Sequence, residues 1–199
     1  MVTWVAAALL EAGLVDAVAH VAPQAADPRF AYCLSRSLSE LRAGARSRYY
    51  PVELSGVLAE IRAVPGRYAV VGVPCFVKAI HLLRAAEPLL ARRIPFTLGL
   101  FCGHMKSARM IESFAWQMGA ELDDAARIDY RTKAEGRPAN WYVAELGLAD
   151  GRTLSRHWWD MADGDWGAGF FQSPACDACD DVGGLGPVSY THLTLPTKA

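Results

Sequence analysis

The sequence predicts an α/β fold, a mostly parallel sheet core flanked by helices, with an antiparallel addition after about residue 126. Three observations carry that expectation. Tyr68-Ala69-Val70-Val71-Gly72-Val73 is an unbroken apolar run, the pattern of a strand buried on both faces of a parallel sheet. Pro74 then opens a helix at a favourable first position, and a second buried run, Ile94–Phe101, follows it, which gives the strand–helix–strand alternation of an α/β core. From Ala126 onward the pattern changes to strand-like segments at Arg127–Lys133, Trp141–Leu148 and Thr153–His157, with Asp150-Gly151 as the turn into the last.

The remaining elements follow in order. Thr3–Ala12 reads as a buried helix, with Thr3 as its N-cap and Gly13 near its end. Val15–Val21 alternates and is β-branched, so it reads as a strand, and Arg29–Leu34 as a second. Cys33 falls inside that strand as a core-filling thiol. Ser37–Arg42 begins a short helix, and Arg46–Tyr50 is a polar, aromatic loop ending at Pro51. Leu54–Val64 is amphipathic, with Leu54, Val57, Leu58 and Ile61 on one face. His81 lies on the helix opened by Pro74. Lys106–Gln117 is a helix with Met110, Ile111, Phe114 and Ala115 facing inward, and Trp158–Phe171 is an aromatic, glycine-rich lead into Cys176-Asp177-Ala178-Cys179.

The 199 residues suit one domain, or one with incomplete ends, and 52% hydrophobic against 21% charged residues allow a sizeable core. A net charge of -1 without a basic block argues against a nucleic-acid partner. Five irregularly spaced cysteines do not form a secreted disulfide framework, so a reducing cytoplasm is expected. Met1–Leu14 carries Glu11 and no basic n-region, and its uncharged run falls short of the roughly 20 residues a membrane span needs, so neither a signal peptide nor a span is expected. Val188–Thr197 is what GTC TCT TAT ACA CAT CTG ACG CTG CCG ACG encodes, DNA like the transposase mosaic-end adaptor of sequencing libraries. Residues 188–199 are therefore read as an adaptor-derived artefact, and His192 is given no functional weight.

The chemistry concentrates on thiols. Paired loop thiols at Cys176 and Cys179 serve zinc, iron–sulfur or dithiol sites. Cys75 sits at a helix N-terminus after a strand, where unpaired N–H groups and the dipole favour thiolate. Cys102, followed by Gly103, sits at the end of the next strand. Ligands collect beyond the carboxyl ends of strands in open α/β sheets, so the four thiols form one candidate tetrahedral set, for zinc or for a 4Fe-4S cluster. His104 is an acid/base candidate two residues from Cys102. Arg131 and Lys133 share a strand face and suit a phosphate or carboxylate, although a solvated face is the commoner outcome. His20, His81 and His157 read as structural or exposed. No Gly-x-Gly-x-x-Gly or Walker pattern occurs, so a standard dinucleotide or nucleotide-triphosphate site is not expected.

Six segments in order resemble the coenzyme F-420 hydrogenase/dehydrogenase beta-subunit family. They are Met1–Asp16, Ser47-Arg48-Tyr49, Gly72-Val73-Pro74-Cys75, Leu100-Phe101-Cys102-Gly103-His104, Asp129-Tyr130-Arg131-Thr132-Lys133 and Cys176–Asp181. The resemblance implies a flavin- and iron–sulfur-dependent oxidoreductase in which electrons pass between a 4Fe-4S cluster, FAD and an acceptor such as coenzyme F-420. By motif position it implies Cys75, Cys102, Cys176 and Cys179 as cluster ligands, and Thr3, Ser47, Tyr49, Pro74, Arg131 and Lys133 as residues lining the flavin pocket. It also implies a redox partner such as ferredoxin or hydrogenase/dehydrogenase subunits. Family members usually carry a glycine-rich segment before the position of Met1 and run on beyond the Cys-x-x-Cys. Residues 1–187 are therefore expected to be a fragment of such a domain, incomplete at both ends. Two rival readings are a zinc-stapled structural or interaction module without catalysis, and dithiol redox at Cys176 and Cys179.

Overall fold

The computed structural model of the chain describes residues 2–25, 29–138 and 140–181. The tail at 188–199, with His192, and the expected boundary at 187 lie outside the described residues. The chain divides into two compact units.

The first unit takes the described residues of Met1–Ala45, Val52–Gly103 and Cys179–Ala199. It contains α1 (Val2–Glu11), β1 (Ala17–Pro23), β2 (Phe30–Ser35), α2 (Leu38–Gly44), α3 (Ser55–Ala63), β3 (Tyr68–Gly72), α4 (Pro74–Ala86), α5 (Pro88–Arg93) and β4 (Phe96–Gly99). The sheet order is β2-β1-β3-β4. β3 runs parallel to both β1 and β4, and β2 is an antiparallel edge. Because side chains alternate along a strand, the sheet buries two faces. Ala17, Ala19, Tyr68 and Val70 join Val57, Leu58, Ile61, Ile80, Leu90 and Ile94 on one side. Val18, Ala69 and Leu98 join Ala6, Val15 and Leu41 on the other. Helices thus cover both faces, as the apolar run at β3 requires.

Several local expectations change. Thr3 stands inside the first turn of α1 rather than capping it, and of the α1 side chains only Ala6 is buried, with Trp4 71% exposed. That helix lies along the sheet instead of within the core. The second buried run narrows to β4, because the chain leaves the sheet after Leu100 donates its N–H to Gly72 O at 2.9 Å, and Phe101 is 85% exposed. Cys33 is half-buried rather than core-filling, facing His20 across the β1–β2 ladder. Ser37, which opens the segment expected to be a short helix, caps α2 in a capping box closed by Glu40.

The second unit takes Arg46–Pro51 and His104–Ala178. It contains α6 (Arg109–Gln117) and a three-stranded antiparallel sheet of β5 (Ala125–Lys133), β6 (Tyr142–Leu148) and β7 (Thr153–His157), in the order β5-β6-β7. Met110, Ile111, Phe114 and Ala115 are buried as the helical spacing predicts, with Ile128, Tyr130, Leu146 and Trp158. The helix starts at Arg109, not Lys106, because Lys106 forms an isolated antiparallel bridge with Gln172. Gly164 admits no side chain, because a Cβ there would collide with the carbonyl oxygen of Trp158. Among the described residues no helix is long and apolar enough to cross a membrane.

Candidate functional site

In the first unit, the fold brings thiols to the ends of adjacent strands. Gly72 and Gly99 are register partners in the β3–β4 ladder, and Cys75 and Cys102 each follow three positions later. Pro74 supplies the fixed φ of a first helical position, so Cys75 takes the second position of α4, exposed at its N-terminus. Cys102 is half-buried. Burial, reinforced by the negative charge of Cys75, pushes the Tyr32 phenol well up, and its hydroxyl donates to Val71 O at 2.9 Å. Cys179 reaches the same helix through its neighbours: Lys78, one turn after Cys75, pairs with Asp181 at 3.2 Å. Asp181, with smaller contributions from Asp180 and Cys179, raises the Lys78 ammonium above its ordinary range.

Cys176 belongs to the second unit, where its Sγ accepts the Met105 N–H at 3.3 Å and its own N–H donates to Ser173 O at 2.9 Å. The boundary between the units therefore falls inside the Cys-x-x-Cys. None of the five cysteines is disulfide-bonded. Chemically the donor set suits a cluster or zinc: four thiols, one at a helix N-terminus and one already accepting a backbone N–H. Among the described residues, however, no three His, Cys, Asp or Glu side chains are gathered closely enough to hold a metal ion.

The second unit assembles Ser47, Tyr49 and Arg131. The Arg131 guanidinium donates to Ser47 Oγ at 3.3 Å, to Tyr49 OH at 3.4 Å and to Tyr142 OH. It also lies 4.1 Å from the Tyr142 ring centroid, and Lys133 Nζ lies 4.7 Å from the same ring. Asp129, 3% exposed, accepts the Arg131 N–H at 3.1 Å and holds Arg46 by an ion pair. That pair anchors the loop carrying Ser47 and Tyr49 at a residue in the left-handed region (Arg46 φ 122). Burial lowers the Arg48 guanidinium, opposed by Asp129. Burial likewise raises the Tyr49 phenol, while Arg131 pulls it down.

Aromatic rings enclose this group. Tyr49 meets Tyr130, Trp158 and Trp166 at centroid distances of 5.4, 5.7 and 4.7 Å. His104 stacks on Trp166 at 4.5 Å and 10°. Two cations, the hydroxyls of Ser47, Tyr49 and Tyr142, and flat aromatic walls suit a planar, anionic cofactor such as a flavin nucleotide. Thr3 and Pro74, the other two residues that the resemblance implies for a flavin pocket, lie in the first unit. The residues not singled out from sequence are Asp129, Tyr142, Trp158 and Trp166. The density of aromatics in 158–171 hinted at the two tryptophans, and Asp129 stood in the segment Asp129–Lys133 without a role assigned to it.

The three other predicted histidines have partners within the fold. His20 is buried on Ser35 Oγ at 2.7 Å, and burial lowers its pKa; His81 meets Thr97 Oγ1 at 3.1 Å, and His157 accepts from Trp141 Nε1 at 3.0 Å.

Comparison with known proteins adds three findings. Two family models match, both describing the beta subunit of coenzyme F420 hydrogenase/dehydrogenase: the one for its N-terminal part covers residues 1–59, and the one for its C-terminal part covers residues 66–184. Among solved structures, a chain of the F420-reducing [NiFe] hydrogenase complex from Methanosarcina barkeri aligns at TM-score 0.62 and 16% identity, over 90% of this chain and 58% of that one. That likeness shows the fold. A search of curated proteins gave no match.

Proposed function

We propose the activity that follows from one premise: the chain belongs to the coenzyme F420 hydrogenase/dehydrogenase beta-subunit family. It is an oxidoreductase subunit that binds a 4Fe-4S cluster and FAD and serves an acceptor such as coenzyme F-420. One observation carries the reading beyond the family match: Cys75 and Cys102 follow adjacent parallel strands by the same number of residues, at the edge where such sheets bind ligands. Cys176 and Cys179 complete the donor set.

When bound, the cluster supplies single-electron transfer and the flavin couples it to two-electron chemistry. The chain's own residues bind and orient. Cys75, Cys102, Cys176 and Cys179 would hold the cluster, as thiolates. Arg131 and Lys133 counter the flavin's negative charge, Ser47 and Tyr49 fix the Arg131 fork, and Thr3 and Pro74 line the pocket. His104, fixed flat against Trp166, holds or releases a proton. The chain spans 58% of the solved chain it matches, so the partners are proposed by analogy: hydrogenase or dehydrogenase subunits, or a ferredoxin. The irregular spacing of the five cysteines, unlike a secreted disulfide framework, supports a reducing, cytoplasmic setting.

Anaerobic purification with iron, sulfide and flavin analysis tests this. About four irons and four acid-labile sulfides per chain, with bound FAD, are expected of a 4Fe-4S flavoprotein. A colourless protein holding zinc alone would overturn the proposal and favour a zinc-stapled module. Cys75→Ser should abolish metal binding; retained redox activity after that change would favour the Cys176/Cys179 dithiol instead.

A further inference from the structure

The segment leading into the Cys-x-x-Cys is held in place by a second segment, and the holding point is a buried lysine. Lys106 is only 4% exposed, although nothing in the proposed chemistry calls on it. Its Nζ donates to Phe170 O at 2.6 Å and lies 4.5 Å over the Trp166 ring. Around it the backbone forms a short antiparallel clip. Lys106 and Gln172 bridge, Ser107 N–H donates to Phe171 O at 2.8 Å, and Ser173 N–H donates to Met105 O at 3.0 Å. Phe171 sits at φ 58, a left-handed conformation rare for a bulky residue, which persists only where surrounding contacts impose it. The same clip aims the Met105 N–H at Cys176 Sγ.

We infer that Lys106 is a positioning residue for Cys176: by clamping Phe170 O it keeps the 105–107/171–173 clip closed and thereby holds the Met105 N–H on the Cys176 sulfur. This rests on the proposed ligand role of Cys176 for its consequence, though not for its geometry. An N–H donated to a ligand sulfur stabilises the more negative, reduced form of a cluster, so the clip raises the cluster's reduction potential. A lysine suits the task because its flexible stem crosses the aromatic layer while its ammonium bonds a carbonyl, and Trp166 compensates part of the lost hydration.

The test uses the full chain, first without metal and then reconstituted with iron and sulfide. In Lys106→Met, hydrogen–deuterium exchange read by mass spectrometry should release the Met105 and Ser173 amides about three- to tenfold faster, the range implied by losing one or two hydrogen bonds, with the amides of α4 unchanged. Ser173→Pro probes the clip without substituting the buried lysine: Ser173 already has φ -67, which proline adopts, and its donor to Met105 is removed. It should speed exchange of the Met105 amide in the same direction by a smaller factor. Unchanged exchange at Met105 in a folded Lys106→Met chain overturns the inference; should that variant not fold, unchanged exchange in Ser173→Pro overturns it. In the reconstituted protein, Lys106→Met should titrate at a lower midpoint potential by EPR, and an unaltered potential overturns the tuning role. Failure to take up iron and sulfide in the parent chain sinks the cluster reading instead, while the exchange result still decides the clip.

Discussion

The two units hold their candidate ligands by different means. In the first, Cys75 and Cys102 lie just past the ends of parallel strands, on backbone whose position is set by the ladder between Gly72 and Gly99. The site there is a property of topology: any side chain placed at those positions would reach the same edge. In the second, Arg131 lies within a strand and owes its orientation to side chains, namely Ser47, Tyr49 and Tyr142, fixed in turn by a cluster of rings around Trp158. A topological site tolerates substitution nearby as long as the sheet persists. A packed site is coupled to the core beneath it, so core changes should be felt as changes in binding.

The comparison breaks most directly at the cores. Ile80→Ala and Phe114→Ala should each cost about 2–5 kcal/mol, since both side chains are fully buried. Hydrogen exchange should show the first releasing amides of β3 and α4, and the second releasing those of β5 and β6. Equal loss across the whole chain in both variants would show one cooperative unit instead of two. Gly164→Ala comes next, at about 1–3 kcal/mol or more, because the new methyl collides with the backbone of Trp158 and not with a side chain that can swing away. Its expected signature is weakened flavin binding together with lowered thermal stability and lost amide protection in β5 and β6, whereas an equally destabilising Ile80→Ala should leave amide protection in β5 and β6 intact.

Arg131→Lys sharpens the contrast at the site itself. It keeps the charge and removes the planar fork that meets Ser47, Tyr49 and Tyr142, so FAD affinity should fall by about tenfold for the lost hydrogen bonds, with little change in melting temperature. Isothermal titration with FAD measures this. Ser37→Ala removes the capping box of α2 and should cost about 1 kcal/mol in the first unit alone, read from the urea midpoint.

The smallest effect concerns pH. Burial lowers the pKa of His20 in the folded state, so the neutral ring is the form the fold accepts. The unfolded chain takes up a proton near its ordinary value of about 6.5 while the folded chain does not, so stability contributed by His20 is present above that pH and is lost as pH falls below it. Urea midpoints at pH 8 and 5.5 should differ more in the parent chain than in His20→Gln. Gly44 packs so closely on the ring that even a Cβ there would collide with it, which is why protonation has no room for added hydration.

Much of this protein was determined by short-range sequence alone. The apolar run at β3, the proline that opens α4, the inward face of α6 and the capping box at Ser37 all arise from steric and periodic rules that operate within a few residues. Hence the fold class, the strand-end position of Cys75 and the antiparallel unit were legible without any tertiary contact. The tertiary structure alone decided that Arg131 meets Ser47 and Tyr49, more than eighty residues away in sequence. It also decided that Lys106 leaves the expected helix to bridge Gln172, and that Cys33 faces His20. These pairings rest on which surfaces meet when the chain collapses, and no local pattern encodes a contact between side chains whose nearest neighbours in sequence are indifferent to it. The thiols were visible because chemistry names them. The ring cluster that orients Arg131 and the lysine that aims an N–H at Cys176 became visible only once the backbone had brought them together.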